Sequence, residues 1–305
     1  MDVGQGDALL IQKDGQNMLI DAGENKYGKT VYDYLQKNGV TKLDYVIGTH
    51  PHSDHIGGLD DVINGFEIGK VIMPKVSHNT KTFEDVLVAI EKKGLKITSP
   101  VVGDSYDLGE AKWTVLAPNG EKYDNLNDYS VVIRLEYENN SFLFTGDAEK
   151  QSEEEILKGD ISLASEVLKV GHHGSASSTT DDFLERVNPK TAIISLATDN
   201  SYGHPHKEII EKLEKNNIKT YRTDTHGTIV ASGDGKTITF EINNFSKEDP
   251  QSSAKDSREY IGNKNSQVFH SKECNQLPQE ENRVYFKDKK QAKDQGYRPH
   301  SVCIP

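Results

Sequence analysis

A chain of 305 residues, 34% hydrophobic and 28% charged, is long enough to bury a large core in one or two domains, and no apolar run approaches the length of a membrane span. The net charge of −12 excludes a broad basic surface for nucleic acid, although bound cations would add local positive charge that a residue count omits. Two cysteines, Cys274 and Cys303, are too few for a disulfide framework. Met1 runs straight into the turn Asp2-Val3-Gly4-Gln5-Gly6-Asp7, with no room for a strand leading into it. We expect a start trimmed by processing or by the choice of boundary. Residues 8–12 and 17–20 alternate around Lys13-Asp14-Gly15-Gln16 as a hairpin with an Asp-Gly turn. The hairpin ends in Asp21-Ala22-Gly23, and residues 30–39 read as a helix stopped at Gly39.

The apolar run 43–47 predicts a buried strand that delivers Thr49-His50-Pro51-His52-Ser53-Asp54-His55, with a turn into a helix over 57–63. Four potential ligands fall within six residues. If this loop curls, His50 and His52 share one ion, and Asp54 and His55 then reach a second. Imidazole with carboxylate and no thiolate suits zinc, manganese or iron at a hydrolytic centre. This stretch resembles the signature of the metallo-β-lactamase superfamily. The resemblance implies an α/β fold, a four-layer αββα sandwich with one or two metals at the sheet edge, and it gives Asp21 the part of orienting the ligand loop from behind.

Further along, the pattern predicts a strand over 70–74, a helix near 83–93, and paired strands over 96–117 and 130–146 turning at Glu138-Asn139-Asn140-Ser141. The second hairpin ends in Asp147, a carboxylate at the end of a buried strand just before a Glu-rich helix. A helix N-cap is the plain reading of such an Asp, but with the histidine motif upstream a carboxylate bridging two metals is the stronger one. Strand 166–170 runs into Gly171-His172-His173-Gly174-Ser175. By the resemblance one of the two histidines completes the second metal site, and the expectation falls on His173. A strand over 191–196, the turn Gly203-His204-Pro205-His206, a helix over 205–216 and strands over 219–222 and 228–242 close a domain of residues 1–243.

Residues 244–258 are polar, hold Pro and Ser, and read as a linker. Residues 259–305 form a tail too small to fold without a staple. His270-x3-Cys274 and His300-x2-Cys303 offer four ligands for a structural zinc in a small α+β module. Phe269-x4-Cys274 and Tyr297-Arg298-Pro299-x3-Cys303 resemble the zinc module of Ada-type methyl-phosphotriester repair proteins. His270 and His300 stand where that family has cysteines, and 270 is its methyl acceptor, so methyl transfer is not supported. Tyr260, Phe269, Tyr285, Phe286 and Tyr297 either stack on bases or fill the module's core.

Taken in order, Asp2-Val3-Gly4-Gln5-Gly6-Asp7-Ala8, Asn127-Asp128-Tyr129-Ser130, Thr145-Gly146-Asp147-Ala148-Glu149, the 171–175 stretch, Tyr202-Gly203-His204-Pro205-His206 and Thr223-Asp224 resemble the catalytic domain of ComEC-type DNA-uptake (competence) proteins. Many superfamily members carry a further histidine before the bridging Asp. The one histidine in that interval, His78, reads as surface, and the expected position falls near Asn127–Ser130 instead. The first metal is then held by His50, His52 and Asp147, with Asn127 and Ser130 either binding substrate or capping a strand. Two zinc or manganese ions sharing Asp147 would lower the pKa of a bridging water, and Asp54, Asp147 and His204 are the residues expected to carry the chemistry, with Ser175 a donor to substrate. His206 and His226 read as structural. The expected function is a metal-dependent phosphodiesterase, foremost a DNA nuclease. Alternatives are an esterase releasing phosphorylcholine from a cell-wall polymer, hydrolysis of lactone, thioester or β-lactam, or a DNA-binding module beside a weak hydrolase site. The abrupt start and long polar linker point to a protein outside the cytoplasm.

Overall fold

The structure, a computed structural model, describes residues 1–242, 260–271, 274, 276–279, 282–286, 289–301 and 303. The linker expected over 244–258 and its flanking residues 243 and 259 lie outside the described residues. The contacts gather into two units, Met1–Ser246 and Lys247–Pro305.

The first unit is built on two sheets. One contains β1 (Leu9–Lys13), β2 (Gln16–Ile20), β3 (Lys42–Ile47), β4 (Glu67–Ile72) and β5 (Ile97–Thr98), side by side in chain order. Asp14 and Gly15, at φ 51° and 80°, form the tight turn that makes β1 and β2 an antiparallel hairpin. From β2 onward the strands are parallel, which demands crossovers. These carry α1 (Gly28–Lys37), then α2 (Ser53–Ile56) and α3 (Leu59–Gly65), then α4 (Lys81–Lys92).

The second sheet has the order β12-β11-β10-β9-β8-β7-β6. Its meander comprises β6 (Ser105–Leu108), β7 (Ala111–Ala117), β8 (Val132–Tyr137) and β9 (Asn140–Phe144). It continues as parallel β10 (Val167–Lys169), β11 (Thr191–Ile194) and β12 (Lys219–Arg222), linked through α5 (Lys150–Leu157), α6 (Asp181–Val187) and α7 (Lys207–Lys215). A short α8 (Thr223–His226) and the hairpin β13 (Ile229–Gly233) with β14 (Ile238–Ile242) follow.

Period-two alternation sorts the strand residues into layers. Leu19, Val46 and Val71 join the core under α1, α3 and α4. Their neighbours Met18, Ile20, Ile47 and Ile72 face the other way and meet Trp113, Val115, Ile133 and Phe144 of the second sheet. Leu116, Val132, Leu143 and Leu168 point outward against Ile156, Phe183, Leu184, Ile209 and Leu213 of α5, α6 and α7. Three stacked cores between helix, sheet, sheet and helix are the four-layer αββα sandwich that the motif implied.

Several expectations shift. The stretch 96–117 is not one set of paired strands: β5 pairs in parallel with β4 and closes the first sheet, while β6 and β7 open the second. Strand 228–242 is a hairpin broken at 234–237, where Asp234 accepts hydrogen bonds from the backbones of Lys236 and Thr237. The helix read from Pro205 begins at Lys207 with His206 at its N-cap. The motif loop contains a helical turn, α2, that its short apolar content did not signal. Among the described residues no helix is long and apolar enough to cross a membrane.

The second unit pairs β15 (Tyr260–Asn263), β16 (Val268–Ser271), β17 (Arg283–Phe286) and β18 (Arg298–Pro299) in the order β17-β15-β16-β18, with α9 (Lys289–Asp294). Phe269, Phe286 and Ala292 form its core, with Tyr260 and Tyr297 packed against it. Most of the aromatics therefore fill this small interior; Tyr285 is exposed.

Trp113, the sole tryptophan, is fully buried between the two sheets. Trp113→Ala is expected to cost about 3–5 kcal/mol, read as a lowered urea midpoint by circular dichroism, whereas Trp113→Phe stays within about 1.5 kcal/mol of the parent.

Candidate metal centre

The centre begins at the end of β2. Asp21 sits in the left-handed region at φ 56°, and its N–H donates to Ile47 O at 2.9 Å, which ties the ends of β2 and β3 together. Its carboxylate, fully buried, accepts from Thr49 N–H at 2.8 Å and Thr49 Oγ1 at 2.7 Å, and pairs with His55 Nδ1 at 2.8 Å. With Nδ1 engaged, His55 turns Nε2 toward the cleft. The loop curls into α2, and His50 Nε2 lies 3.0 Å from His52 Nδ1.

The turn after β10 supplies the facing group. His172 and His173 both take left-handed φ values, 46° and 54°, which reverses the chain at a cost of order 1 kcal/mol each and lets His173 point inward. His173 Nδ1 lies 2.8 Å from Ser195 O, so this ring too presents Nε2. Asp147, at the end of β9 and 2% exposed, stands between the two groups. Its Oδ2 is 3.1 Å from His55 Nε2, 3.4 Å from His173 Nε2 and 3.9 Å from His50 Nε2. Asp54 Oδ2 lies 3.4 Å from His173 Nε2. Ligand atoms of Asp54, His55, Asp147 and His173 all fall within 4.8 Å of one another.

The remaining sequence-selected residues divide by position. Of the two adjacent histidines the structure brings His173 into this group, while His172 turns to Glu149 Oε1 at 3.0 Å and lies 3.8 Å from Asp147. Ser130 is buried: its Oγ accepts from the N–H of Asp147 at 3.0 Å and contacts His50 Nδ1 at 3.3 Å, so it braces ligands from behind. Asn127, also buried, donates from Nδ2 to Glu149 at 2.9 Å. The hydroxyl of Ser175 is spent on Ser177 Oγ at 2.9 Å. The His204 ring lies 6.5 Å from that of His173 and 5.4 Å from that of His172, and its buried Nδ1 has no hydrogen-bond partner among the described residues. His206 Nδ1 accepts from Ala176 N–H, and His226 Nδ1 from Arg222 N–H. His78 departs from the surface reading. It is half-buried, with its ring 6.1 Å from that of His52, because the segment after β4 passes beside the motif loop.

Charge tests whether these residues suit a cation. Burial disfavours the charged ring of His55 and of His173. Asp147, with Asp21 and Asp54 around His55, nevertheless holds the first well above its ordinary range and raises the second to about 9. Burial also opposes ionisation of Asp147, yet His173 and His55 hold its pKa well below the usual carboxylate range. Burial and His55 keep His50 neutral, its pKa well below the ordinary value. Buried carboxylates that demand positive charge, an Asp147 Oδ1 with no hydrogen-bond partner among the described residues, and imidazoles turned toward Asp147 that would give up their protons to a metal are the donor set of a divalent cation.

Two residues not selected from the sequence lie underneath. Lys169, 2% exposed, places Nζ 2.8 Å from Asp7 Oδ2 and donates to Val170 O. Asp7 donates its N–H to Asp54 O at 3.2 Å, accepts from Gly23 N–H at 2.8 Å, and has Oδ1 3.8 Å from His173 Nδ1. One buried ion pair thus joins the Gly4-Gln5-Gly6 turn, the histidine motif and the β10 end. Gly6, at φ 124°, packs on the carbonyl of Asp54 so closely that a Cβ would overlap it, which a side chain there would prevent. The available signal was Lys169 itself, a lone cation inside an apolar strand.

In the second unit Cys274 Sγ lies 3.4 Å from His270 Nδ1 and 3.8 Å from His300 Nδ1, and Cys303 Sγ lies 3.3 Å and 3.9 Å from the same two atoms in the reverse order. Edges of this length are those of a tetrahedron whose centre is about 2.0–2.3 Å from each ligand, the zinc distances for nitrogen and sulfur.

Comparison with known proteins adds the following. The metallo-beta-lactamase superfamily profile matches residues 1–198, and the profile of the metal binding domain of Ada matches residues 246–305. ComE operon protein 3 of Bacillus subtilis is 32% identical over 79% of this chain and 34% of its own length. Recombination protein 2 of Haemophilus influenzae is 30% identical over 75% of this chain and 28% of its own. Competence protein ComA of Neisseria gonorrhoeae is 28% identical over 75% of this chain and 31% of its own. The chain therefore spans about a third of the length of these relatives. Among solved structures, CmlA, a diiron beta-hydroxylase from Streptomyces venezuelae, superposes with TM-score 0.50 at 14% identity over 72% of this chain and 51% of that one, a likeness of fold.

Lys169→Met is expected to strand Asp7 in the interior and lower stability by about 3–5 kcal/mol, while the double change Asp7→Leu with Lys169→Met recovers most of the loss. Urea denaturation of the singles and the double measures the coupling. In the tail, Cys274→Ser is expected to reduce bound zinc by one equivalent by elemental analysis and to make residues from 260 onward susceptible to limited proteolysis.

Proposed function

The chain belongs to the metallo-beta-lactamase superfamily and carries that family's metallo-hydrolase centre; on this premise we propose that it is a phosphodiesterase that cleaves DNA. One observation carries the reading: a single buried carboxylate oxygen of Asp147 lies 3.9 Å from His50 Nε2, 3.1 Å from His55 Nε2 and 3.4 Å from His173 Nε2. His50, His52 and Asp147 would hold one divalent cation, and Asp54, His55, Asp147 and His173 a second, with zinc or manganese suited to nitrogen and oxygen donors. Such ions, when bound, activate water near neutral pH and neutralise charge on a phosphoryl group in transfer.

The chain's own residues set the stage for that chemistry. Asp21 fixes the tautomer and angle of His55, Ser195 does the same for His173 through its carbonyl, and Ser130 orients Asp147 through its backbone N–H. Asp54, one-quarter exposed, and the partly buried His52 are the ligands that open to solvent and mark where substrate enters. Burial and the rings of His172, His173 and His206 lower the pKa of His204 to about 4, so it is a neutral ring at pH 7 and serves as a hydrogen-bond donor to a phosphate oxygen rather than as a cation. This chemistry needs no serine or cysteine nucleophile.

The resemblance to competence proteins supports DNA as the substrate, and the acidic surface, net −12, favours cleavage at a local centre over tight sequence-independent binding. In the second unit, His270 in place of a thiolate supports a structural rather than a methyl-accepting metal. Protein loaded with zinc or manganese is expected to cleave single- or double-stranded DNA and bis-(4-nitrophenyl) phosphate. His52→Ala should lose at least about a hundredfold in rate, and a chelator should abolish turnover. Release of nitrophenol from 4-nitrophenyl phosphorylcholine with no cleavage of DNA would move the substrate to a cell-wall polymer instead. Metal-independent retention of DNA with no turnover would make the chain a binding module.

A further inference from the structure

Among the described residues Tyr202 is the most exposed of the large hydrophobic side chains, at 64%, yet its position is set. Asn200 clips the loop that carries it: its Nδ2 donates to Ala197 O at 3.0 Å and to His204 O at 2.7 Å, and its Oδ1 accepts from His204 N–H at 2.9 Å. The Tyr202 ring stacks on His204, centroids 5.6 Å apart and planes 24° from parallel. His204 is itself wedged edge-on between His206, at 4.8 Å, and His172, at 5.4 Å. Beyond His172 lies Asp147, whose Oδ2 is 3.8 Å from the His172 ring. A row of rings thus leads from the metal centre to a tyrosine with one face against histidine and the other in solvent. A loop braced by three hydrogen bonds holds the ring there.

We propose that the open face of Tyr202 is a nucleobase subsite, on which a base next to the scissile phosphate stacks. The proposal rests on the phosphodiesterase reading above and names its substrate class: DNA with an unpaired base at the cleavage point, as a single strand or a frayed end, because a base inside a duplex already has both faces covered. Stacking on one aromatic ring is tolerant of sequence, so the subsite selects strandedness and not base identity.

The test uses the metal-loaded full chain and three forms, the parent, Tyr202→Ala and Tyr202→Phe. Tyr202 is at the surface, so neither change threatens the fold. The probes are thymidine 5′-(4-nitrophenyl phosphate), which has a base, and methyl 4-nitrophenyl phosphate, which has none, with thymidine 5′-monophosphate and inorganic phosphate as ligands for calorimetry. Tyr202→Ala is expected to lose about tenfold in kcat/KM on the thymidine ester and about tenfold in affinity for the nucleotide. The methyl ester and phosphate should be unaffected, and Tyr202→Phe should restore both losses. Equal losses with and without a base, or no loss at all, would overturn the subsite. A parent that hydrolyses neither ester refutes the phosphodiesterase reading instead, and the calorimetric comparison of nucleotide with phosphate still reads the subsite by itself.

Discussion

Everything at the centre hangs on the carboxylate of Asp21, which meets Thr49 twice and His55 once at the buried junction of β2 and β3. A carboxylate removed from water must have its lone pairs filled, and here they are filled by the very loop that has to be shaped. The backbone of Asp21 takes a left-handed turn to reach that position. Strain and desolvation at one residue are offset by three charge-assisted contacts, and the result is a histidine-rich loop whose rings keep fixed directions. A metal site needs this because ligands that must be ordered on binding lose affinity to the ordering.

Opposite this loop, the second sheet contributes from two strand ends. Asp147 ends β9 and His173 follows β10, and the parallel register that sets Lys169 beside Phe144 puts both ends at one edge. The loop of the first sheet reaches the same edge only because Trp113, Ile47, Ile133 and their neighbours fix the separation of the sheets. The Asp7 and Lys169 pair then pins the two sheet edges together beneath the ligands. Such a pair contributes little net stability compared with an apolar substitute. Its effect is geometric, since Asp7 contacts the backbone of Asp54 and lies next to His173 in one place.

The second unit solves a different problem with similar chemistry. Among the described residues its core cluster is Phe269, Phe286 and Ala292 with a few aromatics around them, which is little apolar surface to hold a fold of this size. Four ligand atoms, with nitrogen-to-sulfur distances of 3.3–3.9 Å, supply the missing constraint. Two imidazoles and two thiolates enclose such a centre completely, as structural sites do, whereas the first unit leaves Asp54 open to solvent.

Much of this was legible in the chain itself. Local chemistry is written locally: His50, His52, Asp54 and His55 lie within six positions, the Asp14-Gly15 turn marks its hairpin, and apolar alternation marks the strands. Asp147 and the adjacent histidines were recognisable because each follows an apolar run that had to be a buried strand. What remained hidden depends on contacts between residues far apart in sequence. Which histidine faces Asp147 is decided by two left-handed residues and by a carbonyl 22 positions away. That Ser130 braces ligands from behind, that β5 belongs to the first sheet, that His78 sits beside His52, and that Lys169 finds Asp7 are all consequences of how two sheets stack. Residue types and spacing determine which groups are available. Only packing decides which of their atoms face one another, because direction in a folded chain is set by neighbours that sequence distance does not reveal.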